Sequence, residues 1–206
     1  LDVYPMAKVV TNEVCKGLLV EMHNLYEMDD RFIIVGQDDT LDLGGKTLKF
    51  YLAPWVHWPD TMFAEVVEDK VLFTSDFLGT HYASETLFQN DDLPDYLEAA
   101  KRYYSAIMMP FRGSVREYLE LVKTIDPKII APSHGPVLQM PAKIVDLYAD
   151  WASETPKNKV VVAYVSMHGS TKQMVSFLVD ALIQRGIPVN QYNLLDTDSG
   201  VLGSAI

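Results

Sequence analysis

Cysteine is almost missing from this 206-residue chain: only Cys15 occurs, which excludes an internal disulfide and a cysteine-based zinc site. So thin a thiol inventory fits a reducing compartment, and cytoplasmic residence is the expectation. Positive charge is also scarce. Against 28 Asp and Glu stand 17 Lys and Arg, a formal net charge of -11, so a nucleic-acid partner is not expected, because binding a polyanion depends on clustered Lys and Arg. An acidic surface favours solubility and suits a basic protein partner. No apolar run reaches the ~18 residues of a membrane span, and no secretory leader pattern opens the chain, so no membrane partner is expected. A Walker Gly-Lys-Ser/Thr string and a Gly-x-Gly-x-x-Gly dinucleotide pattern are both absent.

What is present is globular: 49% of the residues are apolar, enough for a substantial core. A helical stretch is expected around Asn12–Leu19. Arg31–Val35 and Thr40–Leu43 then read as strands, with Gly44-Gly45 as a hairpin turn. Leu48–Leu52, Glu65–Val67 and Val71–Ser75 are β-branched or aromatic runs between turn signals, hence strands. From Leu93 the period lengthens: Leu97, Ala100, Tyr104 and Ile107 predict one amphipathic helix, and Val115, Leu119, Val122 and Ile125 a second. A short strand over Lys128–Pro132 and a helical face of Ile144, Leu147, Tyr148 and Trp151 follow.

Polar residues 154–158, with Pro156, read as a linker between a first domain, 1–153, and a second, 159–206. The second begins as a βαβ unit. Strand Lys159–Val165 and loop Ser166–Ser170 lead to a helix over Thr171–Arg185, with Met174, Leu178, Ala181 and Leu182 on its apolar face. Gly186 is the expected C-cap, and Val189–Leu194 the second strand. Both termini read as cut, since the chain opens at Leu1 rather than Met and stops at Ile206 soon after a strand signal, without a closing element.

Three candidate ligands each follow a predicted strand by a few residues: His57, Asp76 and His134. Strand ends in an α/β sheet converge on one rim, where residues distant in sequence meet. Imidazoles with a carboxylate suit iron or zinc, and the carboxylate has two oxygens with which to bridge two ions. Spacing alone equally allows three hydrogen-bonded loop residues. The second candidate is the string Ser166, Met167, His168, Gly169, Ser170 and Thr171 between strand and helix. Hydroxyls and backbone N–H groups at a helix N-terminus suit a mononucleotide phosphate, although an ordinary N-capped turn has the same composition.

The contexts are more specific than the spacing. Trp55-Val56-His57-Trp58-Pro59-Asp60, Phe73-Thr74-Ser75-Asp76-Phe77-Leu78-Gly79 and Ala131-Pro132-Ser133-His134-Gly135-Pro136, in this order, resemble the later metal motifs of the metallo-β-lactamase-like domain of flavodiiron proteins. Tyr148–Trp151 is similar to that family's exit helix, and Ser166–Thr171 to its flavodoxin phosphate loop. The resemblance implies an α/β chain: part of a metallo-β-lactamase-like αββα sandwich, then the first βαβ unit of a flavodoxin-like doubly wound domain. It implies His57 on one iron, His134 on the other and Asp76 between them, with FMN phosphate on Ser166–Thr171. His23 and His81 match no ligand motif and are expected at the surface or behind the ligands.

The family's first metal motif, His-x-Glu-x-Asp-His, occurs nowhere in the chain. The resemblance places it before Leu1, so three ligands would be shared by two irons and the chain by itself would be underligated. The implied activity is reduction of oxygen to water or nitric oxide to nitrous oxide. Electrons would come from rubredoxin or a similar donor through FMN to a diiron site, in a head-to-tail homodimer. Two other readings stay open: a zinc metallo-hydrolase of the β-lactamase or glyoxalase type, and a flavodoxin-like electron carrier. An incomplete, inactive fragment is a third.

Overall fold

The computed structural model describes residues 3–89, 94–155, 157–197 and 199–205. Leu93, where a helix was expected to begin, Pro156 of the expected linker, and Leu1 and Ile206 lie outside these. The order opens with strand β1 (Val9–Thr11), helix α1 (Glu13–His23) and strands β2 (Phe32–Ile34), β3 (Thr40–Asp42), β4 (Thr47–Leu52), β5 (Met62–Val66), β6 (Val71–Phe73) and β7 (Phe88–Gln89). Helix α2 (Pro94–Tyr103) passes through a π-turn (Tyr104–Met108) and a 3-10 turn (Met109–Phe111) into α3 (Arg112–Ile125). Strands β8 (Ile129–Ala131) and β9 (Val137–Leu138) precede α4 (Ala142–Trp151). The chain then runs through β10 (Val160–Tyr164), α5 (Ser170–Ile183), β11 (Val189–Asn193) and α6 (Ser199–Ala205).

The fold is α/β. Seven strands form a mixed sheet in the order β3-β4-β5-β6-β8-β9-β7; β1 pairs β2 in parallel, and so does β10 with β11. Gly44 and Gly45 both have positive φ, 80° and 120°, which is why glycines turn the β3–β4 hairpin. Strand β6 runs parallel to β8, a pairing that needs a long crossover, and α2 with α3 supplies it. The core lies where Tyr51, Phe63 and Leu72 of the sheet meet Tyr96, Ala100, Tyr103, Val115, Leu119, Ile144 and Tyr148 of α2, α3 and α4. Rings interlock there: Phe77 stacks on Phe63 at 5.6 Å and meets Tyr148 edge-on at 5.9 Å.

Helix α1 begins where its cap is. The Asn12 side chain accepts the Cys15 amide at 2.9 Å and donates to the Asp60 carbonyl at 2.7 Å, tying α1 to the loop after β4. Among the described residues no helix is long and apolar enough to cross a membrane.

Three expectations need correction. The helical period drawn across Leu97–Ile107 breaks at Tyr104, because Pro110 has no N–H to offer the Ala106 carbonyl and the backbone widens before it. On α5 the buried residues are Val175 and Val179, whereas Met174 and Leu178 of the expected inner face are exposed. The apolar arc of this helix is wide, with only the side of Gln173, Ser176 and Asp180 polar, so periodicity could not fix which part of that arc faces inward. Finally, a strand was expected to be the last element, yet α6 follows β11; Gly200 and Gly203 lower its helix propensity and hide it.

Candidate metal centre and phosphate loop

Strand directions explain how three distant residues come together. Strand β5 is antiparallel to both β4 and β6, and β8 is parallel to β6, so β4, β6 and β8 all end at the same edge of the sheet. The next loops carry His57, Asp76 and His134 respectively. The Asp76 carboxylate lies between the imidazoles: Oδ2 is 3.2 Å from His57 Nε2 and Oδ1 is 3.2 Å from His134 Nε2. Two ligand atoms about 2.1 Å from one ion and at a right angle stand about 3 Å apart, so each His–Asp pair has the spacing of neighbouring ligands. Among the described residues, however, no three His, Cys, Asp or Glu side chains surround one point as ligands of a single ion. The trio is a row with the carboxylate in the middle.

The loops that hold this row are strained and tightly pinned. Trp55, Ser75 and Leu78 have φ of 69°, 52° and 64°, and non-glycine residues keep such angles only where their surroundings enforce them. The Ser75 hydroxyl donates to the Met62 carbonyl at 2.9 Å, and the Ser133 amide donates to the Ser75 carbonyl. The Thr80 amide donates to the His134 carbonyl at 3.1 Å. Gly79 sits where a β-carbon would stand 3.0 Å from the His134 carbonyl oxygen and 3.1 Å from that of Asp76. Gly135, at φ +79°, faces Thr80 so closely that a β-carbon would lie 2.7 Å from its carbonyl oxygen. Small residues thus let the Asp76 and His134 loops touch.

Of two neighbours, Tyr103 had no assigned part in the sequence reading, and His81 was expected at the surface or behind the ligands. The Tyr103 hydroxyl donates to the Asp76 carbonyl at 3.2 Å, and burial, then the Asp76 carboxylate, push its phenol well above the ordinary tyrosine range. The ring of His81 meets that of Tyr103 edge-on at 4.8 Å and that of His134 at 5.6 Å. His81 lies five residues after Asp76, and this proximity was the only sequence signal for it. On the other side, Phe111 stacks on Trp55 and its ring lies 6.5 Å from that of His57. A cleft of about 550 Å³ between α1 and the sheet, lined by Cys15, Met22, Trp58, Met62 and Phe73, reaches Asp76. A larger cavity, about 590 Å³, lies between the end of α3 and the start of α4 and touches none of these residues.

Ser166, Met167, His168, Gly169, Ser170 and Thr171 form the turn from β10 into α5. Gly169 takes φ +86° at the helix start, and the Ser166 hydroxyl accepts the amides of Gly169 at 3.1 Å and Lys172 at 3.2 Å. The Ser166 hydroxyl therefore satisfies two backbone amides at the start of α5. Met167 is 80% exposed, so the turn opens to solvent.

With this geometry in hand, the likenesses are informative. The model of the ODP family of β-lactamases matches residues 1–135. The chain is 35% identical over 202 residues to a coenzyme F420H2 oxidase of Methanothermobacter marburgensis, covering 95% of this chain and 49% of that protein. It is 35% identical over 175 residues to a nitric oxide reductase of Moorella thermoacetica, covering 83% of this chain and 44% of that protein. Its fold superimposes on the rubredoxin oxygen:oxidoreductase of Desulfovibrio gigas with a TM-score of 0.87 at 26% identity, over 96% of this chain and 50% of that one. The chain spans about half the length of the curated relatives it matches. A β-lactamase-like unit with His57, Asp76 and His134 on one rim, joined to a parallel βαβ unit, places the chain in the ODP family of β-lactamase-like proteins, among the flavodiiron proteins.

Proposed function

We propose that this chain is the later part of the metal domain and the opening of the flavin domain of a flavodiiron oxidoreductase, with the boundary at residues 154–158. The observation that carries the reading is Asp76, which turns one oxygen to each of two histidines. A zinc hydrolase has no need of the parallel βαβ unit with its phosphate-loop turn, so the diiron reading is favoured over it. In this reading His57, Asp76 and His134 would help to hold the two irons, with the Asp76 carboxylate shared between the histidine sides. The resemblance requires further ligands, and a cleft beside α1 reaches Asp76.

The residues Ser166 to Thr171 would hold the FMN phosphate through the hydroxyls and the amide groups of the turn. When bound, flavin relays single electrons and iron activates the gas. The chain's own residues supply position. Tyr103 steadies the Asp76 loop, the glycines hold it against the His134 loop, and Trp55 and Phe111 wall the His57 side. The names of the relatives suggest oxygen or nitric oxide as substrate and rubredoxin or a similar donor as electron source. A cytoplasmic head-to-tail homodimer completes the proposal.

Metal analysis and gas consumption test it together. The 206-residue chain should bind fewer than two irons, and a complete-length protein carrying it should hold iron and FMN and consume oxygen or nitric oxide. Asp76→Asn in that protein should cut the rate by about 100-fold or more, as loss of an interaction specific to the reactive centre does. Zinc content, hydrolysis of a lactam or thioester and no flavin absorbance would overturn the proposal in favour of the hydrolase.

A further inference from the structure

Away from the ligands, the C-terminal unit touches the first unit where α6 packs against the end of α2 and the π-turn. Gly203 makes the close approach: a β-carbon there would stand 3.0 Å from Cβ and 3.1 Å from Oγ of Ser105, a buried residue of the π-turn. The Ser105 hydroxyl lies 3.0 Å from the Arg102 carbonyl oxygen and 3.4 Å from that of Gly200. Its single proton is thus shared between its own helix and α6. At the other end of α6, the Lys159 ammonium donates to the Ala205 carbonyl.

The last residue of α2, just before the π-turn, faces the candidate metal centre. This residue, Tyr103, donates to the Asp76 carbonyl and sets its ring against those of His81 and His134. The first residue within the π-turn, Tyr104, points the other way, with its ring 5.2 Å from Tyr148 and 5.5 Å from Trp151. A helix that widens by one residue over a single turn has an alternative, ordinary α register, and changing register would rotate Tyr103 relative to Tyr104. The missing N–H of Pro110 favours the wide form, and Ser105, a π-turn residue seated against α6, adds a second constraint on it.

We propose that Ser105 is a positioning residue: α6 seated against it holds the π-turn in the register that puts Tyr103 on Asp76 and beside the two histidines. Docking of the phosphate-loop unit thereby sets the shape of the ligand row. The roles of those two units rest on the flavodiiron reading above, but the contact itself needs neither iron nor flavin.

The test uses the metal-free 206-residue chain. Ring C–H resonances of its five histidines are recorded by NMR, and amide exchange is followed over α6 and the π-turn. Tyr103→Leu fixes how far the His81 and His134 resonances move when the neighbouring ring is lost. Gly203→Leu should unseat α6, raise exchange over residues 199–205 and 104–108 about tenfold or more, and move His81 and His134 in the Tyr103→Leu direction while His23 stays. Ser105→Ala adds no bulk and should give the same pattern at smaller amplitude; it carries the test if Gly203→Leu does not fold. Faster exchange in α6 with His81 and His134 unmoved would overturn the proposal, as would an unprotected α6 in the unaltered chain. Zinc in place of iron and no flavin absorbance in the complete-length protein would instead strike the flavodiiron reading and leave these metal-free resonances as they are.

Discussion

The two ends of this molecule treat similar hydrophobic residues in opposite ways. In the sheet and helices up to Trp151, Phe63, Phe77, Leu72 and Tyr148 are all fully buried. In the βαβ unit, Phe177 is 79% exposed, Met174 73% and Ile183 56%. Parallel strands normally need cover on both faces, and two strands alone form a weak sheet, so β10 and β11 with α5 are a layer still short of neighbours. The first unit has closed its core and can fix the geometry of a site. The second presents a phosphate-loop turn on a scaffold whose apolar side is open, in a chain that spans about half of its relatives.

The largest expected effect is alkaline. Burial is the leading cause that raises the phenols of Tyr51, Tyr103, Tyr104, Tyr118 and Tyr148, all in the first unit. A raised folded-state value means that the folded form holds its protons when the unfolded form has lost them. Stability from these groups is full below about pH 10 and falls as pH rises through the folded values, by at most ~1.4 kcal/mol per pH unit for each tyrosine. These contributions have the same sign, so the first unit should lose stability steeply above pH 10. Tyrosinate absorbance and loss of circular dichroism should then coincide. If five tyrosinates form while the fold persists, the closed core is not what sets the two units apart.

A matched pair of phenylalanines sharpens the contrast. Phe77→Ala removes a ring packed between Phe63 and Tyr148 and should cost about 3–5 kcal/mol in urea unfolding. Phe177→Ala removes an exposed ring and should stay within about 0.5 kcal/mol while improving solubility. Equal costs would mean that Phe177 is covered in solution.

How much of this was legible follows the same division. His57, Asp76 and His134 stood out because each sits in a short local string after a strand, and strand directions then bring them to one edge. Tyr103 did not stand out, since its reach to Asp76 depends on the π-turn before Pro110, which a regular 3.6-residue period smooths away. Met174 and Leu178 were expected inside because the apolar arc of α5 is wide, leaving only the side of Gln173, Ser176 and Asp180 polar, and the sheet that chooses within that arc is small here. Helix α6 was invisible for a different reason. Two glycines weaken its local signal, and its packing against Ser105 is tertiary.

The smallest effect compares the two candidate sites through their glycines. Gly135 and Gly169 have nearly the same backbone, φ +79° and +86°, so a side chain at either pays the left-handed cost of about 1–2 kcal/mol. Their surroundings differ. A β-carbon at Gly135 runs into Thr80 backbone that itself binds the His134 carbonyl, whereas one at Gly169 meets nothing within 4 Å. Gly135→Ala should therefore cost about 3 kcal/mol and move the His134 ring resonances, because relief requires separating the His134 and Asp76 loops. Gly169→Ala should cost only about 1 kcal/mol and leave His134 where it is. Equal costs in urea unfolding would show that backbone angle alone governs both turns, and that the pinned loops of the metal side are no tighter than the open turn of the phosphate side.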